Sequence, residues 1–245
     1  MRLSVLALAG LLALPAAAAA QDPLPPGQLP PARFSVTPFV GIRVPYTTGN
    51  AYLFTGDGRT FLIDENRGGG ALAGAEVEAR VRGPVSVLGS LAYSSAGDHD
   101  VMLTSAEGER IPLIADTPDM WMAKVAVAYR LPEPRPDNRR FHPAGFLSAG
   151  PALVRTNWSD SDLDGSGDNH WGLNLGVHTA TTLGTPRLAV HLGIEDYLTF
   201  WDTERLAAHD ATLYGDYFED SAAVDFDYSS SNLVMVRLGL SFRFQ

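Results

Sequence analysis

The most motif-like stretch of the sequence is an acidic, glycine-rich segment, Ser159–His170 (SDSDLDGSGDNH). Asp160, Asp162 and Asp164, with the glycine that follows them, reproduce the beginning of a calcium-binding loop, in which carboxylates at alternate positions coordinate the ion. Trp171 occupies the position at which such a loop carries a bidentate glutamate, and no helices are predicted on either side. We therefore interpret the segment as an acidic turn, with calcium binding as the less favoured alternative.

Two histidines and a glutamate form a second candidate set. His178, His191 and Glu195 lie on two consecutive segments of alternating apolar and polar residues, and all three share the polar faces of those segments. Imidazole and carboxylate groups together bind metal ions or exchange protons. The strand pattern described below predicts a small β-barrel, and the interior of such a barrel gives a substrate no access. We therefore favour a role for these residues as packing partners.

Among enzymes, a lipid-modifying hydrolase is the most specific alternative to a packing role for the histidines. It requires a serine, a histidine and an acid that face the lipid. The two histidines instead alternate with the apolar face of their segments, and the sequence shows no suitable spacing of serine and histidine. The sequence accordingly predicts no catalytic residues, no cofactor-binding residues and no metal ligands, and we expect the protein not to be an enzyme.

The long connection Thr199–Asn232 combines acidic residues with aromatic ones. An exposed binding or adhesion surface is one interpretation, since loops often carry binding residues. A loop that packs on its own rings and rims a barrel is the other, and we favour it. The aromatic residues concerned are Phe200, Trp201, Tyr214, Tyr217, Phe218, Phe226 and Tyr228.

Eight segments position these candidates. In each segment apolar and polar residues alternate, which is the pattern of half-buried β-strands. A membrane-spanning strand requires about 9–11 residues when tilted, and each segment is long enough, although the count alone also fits a soluble β-sandwich. The segments are Arg33–Val44, Ala71–Val81, Val85–Tyr93, Met120–Leu131, Gly145–Val154, Trp171–Leu183, Arg187–Leu198 and Leu233–Phe244.

The connections between the segments favour a membrane barrel over a sandwich. Long and shorter connections alternate, as the outer loops and periplasmic turns of an up-and-down outer-membrane barrel do. We therefore predict an all-β fold, an eight-stranded antiparallel up-and-down transmembrane β-barrel with short periplasmic turns and long extracellular loops. The long connections are Pro45–Gly70, Ser94–Asp119, Arg155–His170 and Thr199–Asn232, and the shorter ones are Arg82–Pro84, Pro132–Pro143 and Gly184–Pro186.

Charge is divided between the two ends of the predicted barrel. Of the 28 acidic residues, 21 lie in the four long connections. The formal net charge of −10 disfavours nucleic acid, so we expect no such partner. Arginines gather at the opposite end, at Arg82, Arg130, Arg135, Arg139, Arg140, Arg187 and Arg243.

The faces of the strands predict lipid outside the barrel and a polar plug inside. An eight-stranded barrel has an interior just wide enough for side chains to fill. We expect Arg237 to pair there with Glu76, Glu78 or Glu195, while Arg243 lies at the periplasmic rim. The residues predicted to pair inside are Glu76, Glu78, Lys124, Arg237 and Arg43. The residues predicted to form interfacial aromatic girdles are Phe34, Tyr93, Trp121, Tyr129, Trp171, Trp201, Phe242 and Phe244.

Two of the long connections contain their own hairpin signals. Tyr52–Phe54 and Thr60–Ile63 flank one turn, and Val101–Thr104 and Arg110–Ile114 flank another. Each arm is too short to span a membrane, so we predict hairpins outside it, with a ten- or twelve-stranded barrel as the alternative. Stretches without proline, glycine or turn clusters are scarce, so we expect no long helices.

The N-terminal region predicts secretion. Residues 1–20 carry Arg2, an apolar run and a small-residue cleavage site at Ala18–Ala20, the features of a signal peptide. Residues 21–32 are proline-rich and predict an extended periplasmic lead-in, and residues 33–245 form the predicted barrel. The sequence has no cysteine, so the fold must be stabilised by burial and closure instead of disulfides.

The last predicted strand (LVMVRLGLSFRFQ) has a wholly apolar face. That face comprises Val234, Val236, Leu238, Leu240, Phe242 and Phe244. With this strand and this topology, residues 33–245 resemble the small eight-stranded outer-membrane barrels of the OmpA-like and OmpW-like type. Members of that class end on an aromatic residue, whereas here Gln245 follows it.

The resemblance implies a function and partners. It implies localisation in the bacterial outer membrane and a structural or surface-interaction role with a side-chain-filled lumen. A small porin or a conduit for hydrophobic molecules is the alternative. It also implies a monomer that contacts outer-membrane lipids and lipopolysaccharide, and a C-terminal strand that the barrel-assembly machinery recognises. It implies no cofactor.

Overall fold

A computed structural model describes residues 33–44, 50–65, 69–95, 98–116, 119–131, 143–157, 168–183, 185–227 and 229–244. The predicted signal peptide and lead-in, the calcium-like segment at Asp160, Asp162 and Asp164, and Gln245 lie outside these residues. The described chain forms thirteen β-strands and one α-helix. They are β1 (Phe34–Arg43), β2 (Ala51–Thr55), β3 (Thr60–Glu65), β4 (Gly70–Arg82), β5 (Val85–Ser94), β6 (Asp98–Ser105), β7 (Arg110–Asp116), β8 (Asp119–Arg130), β9 (Pro143–Asn157), β10 (Asp168–Leu183), β11 (Thr185–Phe200), α1 (Thr203–Phe218), β12 (Ala222–Phe226) and β13 (Ser230–Phe244).

Eight of the described strands close into a barrel in the order β1-β13-β11-β10-β9-β8-β5-β4. Every neighbouring pair is antiparallel, including the closing pair of β1 with β13. Barrel strands that follow one another along the chain are also neighbours in the wall, which is an up-and-down topology. The predicted eight-stranded antiparallel barrel is confirmed, and the ten- or twelve-stranded alternative is wrong.

The two predicted hairpins are present, β2 with β3 and β6 with β7. They do not stand apart, because β3 pairs with β6 and β12 adds to β2, giving a five-stranded sheet in the order β12-β2-β3-β6-β7. We call it the cap sheet, and we call the barrel end that carries it the sheet end. The opposite end, where Gly83 turns the chain with a φ of 55° between β4 and β5, is the turn end.

The two hairpins of the cap sheet lie side by side in the same order as the barrel strands that they connect. Hairpin β2–β3 connects β1 to β4, hairpin β6–β7 connects β5 to β8, and β4 pairs with β5 in the wall. The wall therefore brings β3 next to β6, although Phe61 and Ser105, which are cross-strand partners, lie more than forty residues apart in the sequence.

Helix α1 contradicts the expectation that the chain contains no long helix. Asp202 caps its N-terminus, where the Asp202 carboxylate accepts a hydrogen bond of 3.3 Å from the Arg205 backbone N–H. Leu206 and Tyr214 lie about two helical turns apart, and both are buried on the same face of the helix. A glycine, Gly215, within the last turn interrupts the pattern that predicts a helix from sequence. In the described part of the chain, no helix is long and apolar enough to cross a membrane.

Helix α1 and the cap sheet share an apolar core. The helix contributes the Tyr214 side chain and the Phe218 ring, which stacks on Phe61 at 5.5 Å between centroids. Each fully buried side chain of this kind stabilises the fold by about 1.5–3 kcal/mol. The fully buried sheet residues are Ala51, Leu53, Phe61, Ile63, Val101 and Leu103.

Candidate functional site

The barrel wall has an apolar outer face and a mixed inner face. On β10, Trp171, Leu173, Leu175 and Val177 are all at least half exposed. Asn174, between Leu173 and Leu175, points inward and is buried. The alternation follows from the two-residue period of a strand, which sends successive side chains to opposite sides of the wall.

Aromatic residues mark both edges of the apolar outer face. At the sheet end, the Tyr93 and Trp121 rings lie 5.0 Å apart between centroids, and the Tyr93 hydroxyl donates a 2.5 Å hydrogen bond to Asp119. At the turn end, Tyr129 is exposed on the same strand as Trp121. These two residues are eight positions apart, about 26 Å along the strand, which is about 20 Å in height for a tilt of about 40°.

Polar and basic residues lie beside these aromatic residues at both ends of the wall. Exposed Arg155, Asn169 and Asn232 continue the outer face at the sheet end. Arg82 and Arg243 lie at the turn end, the latter opposite Ser35 in the register of β13 with β1. The predicted position of Arg243 at the rim agrees with this register.

A layer of four charged side chains crosses the lumen. Arg237 Nη2 lies 2.5 Å from Glu76 Oε2 and 2.8 Å from Glu195 Oε1. Lys124 Nζ lies 2.6 Å from Glu195 Oε1 and 3.6 Å from Glu76 Oε2. Each side chain is at most 2% exposed. The predicted pairing of Arg237 with Glu76 or Glu195 is confirmed, and Lys124 completes a neutral arrangement.

Polar neighbours complete the charged layer. Asn174 Oδ1 accepts a hydrogen bond of 3.2 Å from Lys124, and the Tyr197 hydroxyl donates one of 3.2 Å to Glu195 Oε2. The Arg237 guanidinium also lies over the Phe39 ring, 4.6 Å from its centroid. Buried charges are tolerated only when paired and hydrogen-bonded, and this layer meets both conditions for its two carboxylates and for Lys124.

Two other charged residues predicted to pair inside lie away from the four-charge layer. Glu78, two residues towards the turn end from Glu76, accepts a 3.3 Å hydrogen bond from Ser35 Oγ. Arg43, at the sheet end of β1, is buried and donates to the Met120 sulfur at 2.9 Å. Both side chains face inward as predicted, but the strand register separates them from Glu76 and Arg237.

The two histidines pack beside the charged layer. The Phe146 ring stacks on His178 at 4.8 Å and lies 5.0 Å from His191, and the two imidazoles are 5.3 Å apart. His191 Nδ1 is 3.9 Å from Glu76 Oε1. Their burial among aromatic and charged neighbours agrees with the favoured interpretation as packing partners. Within the described chain, no group of three or more His, Cys, Asp or Glu side chains has the geometry of a metal site.

The structure brings a serine to one of these histidines, which the spacing in the sequence did not reveal. Ser148 Oγ lies 2.9 Å from His178 Nε2, and Glu195 Oε1 lies 3.8 Å from that same nitrogen. The other ring nitrogen, Nδ1, is 3.3 Å from Arg237 Nη2 and must accept, because a guanidinium only donates. A serine–histidine–acid relay needs the serine and the acid on opposite ring nitrogens, so this set is not arranged as one.

Apolar layers lie on both sides of the charged layer. The layer towards the turn end consists of Leu88, Ala126, Ala128, Phe146 and Ala180. The layer towards the sheet end consists of Phe39, Leu72, Ala92, Met120, Met122, Ala152, Val154, Tyr197, Trp201, Leu233 and Met235. Together the three layers place packed side chains along the lumen, as the sequence predicted.

The connection after β11 packs over the sheet end of the lumen. Trp201 lies 4.3 Å from His170 between ring centroids, and its indole N–H donates to Ser231. Arg205 on α1 pairs with Asp168 at the start of β10 at 2.8 Å. The favoured interpretation, a segment that packs on its own rings and rims the barrel, holds for Trp201, Tyr214 and Phe218, whereas Phe200 and Tyr217 stay exposed. Trp201 is buried, so its predicted place in an interfacial girdle is wrong.

Comparisons with known proteins address the fold. No protein-family model and no curated protein matches the sequence. Solved structures with a similar fold include the outer-membrane protein OprG from Pseudomonas aeruginosa, 11% identical over 88% of this chain and 97% of that one, with a TM-score of 0.47. Neisserial surface protein A is 10% identical over 87% and 98% of the two chains, with a TM-score of 0.42. Ail from Yersinia pestis, solved with a heparin analogue, is 10% identical over 86% and 99%, with a TM-score of 0.34.

The closed barrel defines the class of protein to which the chain is similar. It is an all-β, eight-stranded antiparallel barrel, the architecture that the resemblance to small outer-membrane barrels predicted.

Proposed function

We propose that the protein is an outer-membrane barrel with a closed lumen that displays the cap sheet and α1 at the cell surface, in a structural or surface-interaction role. The observation that carries the proposal is the distribution of side chains across the barrel wall: apolar outside between aromatic edges, and a neutral charged layer inside. A soluble protein rarely leaves so continuous an apolar surface exposed to water.

The closed barrel supports the proposed insertion in a membrane. Every backbone group in the wall can pair with a neighbouring strand, so a closed barrel leaves no strand edge unpaired in lipid. The apolar band of about 20 Å is close to the band of about 25 Å in known outer-membrane barrels. Outer-membrane lipids and lipopolysaccharide are therefore the proposed partners of the outer face.

The charge distribution supports an orientation with the cap sheet outside the cell. In three described segments of the sheet end, 50–65, 98–116 and 199–227, 16 acidic residues stand against three arginines, and Asp119, Arg155 and Asp168 also lie at that end. The turn end carries Arg82, Arg130 and Arg243 instead. We further propose that β13 is the strand that the barrel-assembly machinery recognises and that the protein is a monomer.

Cysteine labelling tests both location and orientation. The natural sequence has no cysteine, so single-cysteine variants report on one position each. Glu107→Cys, in the β6–β7 turn, should react with a membrane-impermeant maleimide on intact cells. Arg82→Cys, at the turn end of β4, is the matched control and should react only after the outer membrane is permeabilised. Equal labelling of both variants on intact cells, or recovery of the protein from the soluble periplasm, would contradict the proposal.

A small porin or a conduit for hydrophobic molecules is the alternative function. Packed side chains in all three lumen layers favour the closed barrel. Planar-bilayer recordings distinguish the two, because a closed lumen predicts no steady openings, whereas steady conductance of the wild-type barrel would establish the porin.

A catalytic role is not part of the proposal. Ser148 and His178, which lie within hydrogen-bond distance of each other and near Glu195, are buried in the lumen and not on the apolar outer face. Incubation of the reconstituted barrel with lipopolysaccharide should therefore release no deacylated product, and the appearance of such a product would overturn this part of the proposal.

A further inference from the structure

The cap sheet has apolar side chains on both of its faces. One face packs on α1 as described above. The other face, which we call the exposed face, carries Tyr52, Phe54, Leu62, Met102, Pro112 and Ile114. Ile114 is 75% exposed and Phe54 44% exposed. An antiparallel sheet with one face in water normally alternates apolar with polar residues, so a second apolar face indicates a binding surface.

Acidic side chains are placed among these apolar ones. In the strand register, Asp225 is the cross-strand partner of Tyr52, Asp64 that of Met102, and Asp100 that of Ile114. All three aspartates are exposed. On the described exposed face, Arg110 is the one basic residue, at the corner where β7 begins. The exposed face therefore combines apolar contact area with a negative potential.

The edge of the sheet adjoins this face. Among the described strands, β7 pairs only with β6, so its other side offers backbone N–H and C=O groups to a further strand. Pro112 removes one donor from β7, and Ile111 and Leu113 point to the core instead. A polypeptide can contact the apolar side chains and also form backbone hydrogen bonds with the free edge of β7, whereas a lipid can only contact the apolar side chains.

We propose that the exposed face of the cap sheet is a docking surface for a cationic polypeptide that carries apolar side chains. The inference deepens the proposed function, since it rests on the cap sheet being displayed outside the cell. Charge complementarity selects the occupant. The phosphates of lipopolysaccharide are repelled by Asp64, Asp100 and Asp225, and a second copy of this face is repelled for the same reason.

Calorimetric titration of the full-length barrel in phosphatidylcholine nanodiscs tests the proposal. The probe is a synthetic peptide of alternating lysine and leucine, with the heat of empty nanodiscs subtracted. Peptides of alternating glutamate and leucine, and of alternating lysine and serine, separate the contribution of charge from that of apolar contact. Purified lipopolysaccharide with magnesium is the lipid arm of the experiment.

Two sets of substitutions address the two halves of the proposed chemistry. Phe54→Ser with Ile114→Ser removes apolar contact, and Asp64→Asn, Asp100→Asn and Asp225→Asn together remove the negative charge. Each set should weaken binding of the lysine–leucine peptide roughly tenfold, since a few central residues dominate most interfaces. The loss in the aspartate variant should shrink as salt is raised, because exposed charges are screened.

Matched controls use residues of the same kind elsewhere on the sheet end. Tyr217→Ser removes an exposed aromatic side chain from α1, and Glu204→Gln with Asp216→Asn removes acidic charge from that helix. These variants should bind the lysine–leucine peptide with wild-type affinity. A heat-dependent shift on a gel establishes that every variant is folded, and the aspartate set keeps all the apolar residues in place.

Three results would overturn the inference: equal affinity in the exposed-face variants and wild type, equal affinity for the lysine–serine peptide, or lipopolysaccharide that competes for the same residues. The cysteine labelling described above is independent of all three. Labelling of Glu107→Cys on intact cells without peptide binding would remove the docking surface and leave the proposed function. Peptide binding without labelling of Glu107→Cys on intact cells would remove the proposed function and leave the docking surface.

Discussion

Removing Arg237 is the most direct test of the charged layer in the lumen. Arg237 contacts Glu76 and Glu195 at 2.5 and 2.8 Å, and its side chain is 2% exposed. Methionine has a similar length and no charge, so Arg237→Met retains most of the packing against Phe39. What it removes is one of two cations, which leaves two buried carboxylates with Lys124 alone.

The expected loss follows from the uncompensated charge. Breaking a buried ion pair by removing one partner destabilises a protein by about 3–5 kcal/mol, because the remaining charge stays buried. A second substitution, Glu76→Gln, restores neutrality by leaving Lys124 paired with Glu195 at 2.6 Å. The double variant should therefore lie within about 2 kcal/mol of the wild type, which makes the two substitutions strongly non-additive.

Urea unfolding of the barrel in lipid vesicles, followed by tryptophan fluorescence and by heat-modified migration, measures these differences. Arg59→Met is the matched control, since Arg59 pairs with Asp57 at 2.7 Å but both side chains are 46% exposed. Exposed ion pairs contribute about 0–1 kcal/mol, so this control should unfold almost as the wild type does. A loss below about 1 kcal/mol for Arg237→Met, or a double variant less stable than the single one, would refute the argument from buried charge.

Further predictions concern local structure. A Cβ atom at Gly74 would meet the backbone of β5 and an aromatic ring, whereas one at Gly89 would meet nothing within 4 Å, so Gly74→Val should abolish the heat-modifiable folded band and Gly89→Ala should leave it unchanged. Asp202→Ala removes the cap of α1 and should destabilise that helix by about 1 kcal/mol, seen as faster amide exchange in α1 with unchanged exchange in the barrel. The hydrogen bond from Thr55, and then that from the Arg59 backbone, lowers the pKa of Asp57 below its ordinary value of 3.8. The contribution of the Asp57 carboxylate to the stability of the β2–β3 turn should therefore be fully present above that value and be lost as the pH falls through the lowered pKa. Thr55→Val should raise the pKa of Asp57 measured by NMR.

The sequence determined the features of this protein that depend on local period and residue type. Alternation with a period of two is visible within one strand, so it predicted the eight barrel strands, their outward apolar faces and the inward position of Glu76, Lys124 and Arg237. The interior of an eight-stranded barrel is narrow, so charged residues directed into it had to meet, and the expected contact of Arg237 with Glu76 or Glu195 followed.

Only the tertiary structure decided the features that depend on which strands become neighbours. The contact of Ser148 with His178 requires the register of β9 with β10, which a spacing of thirty residues does not reveal. Pairing of β3 with β6 requires the wall to place β4 beside β5, and α1 is stabilised chiefly by packing Tyr214 and Phe218 on the resulting sheet. Side-chain alternation is encoded within each strand, whereas the cap sheet and its exposed face form only when the barrel closes and brings distant hairpins together.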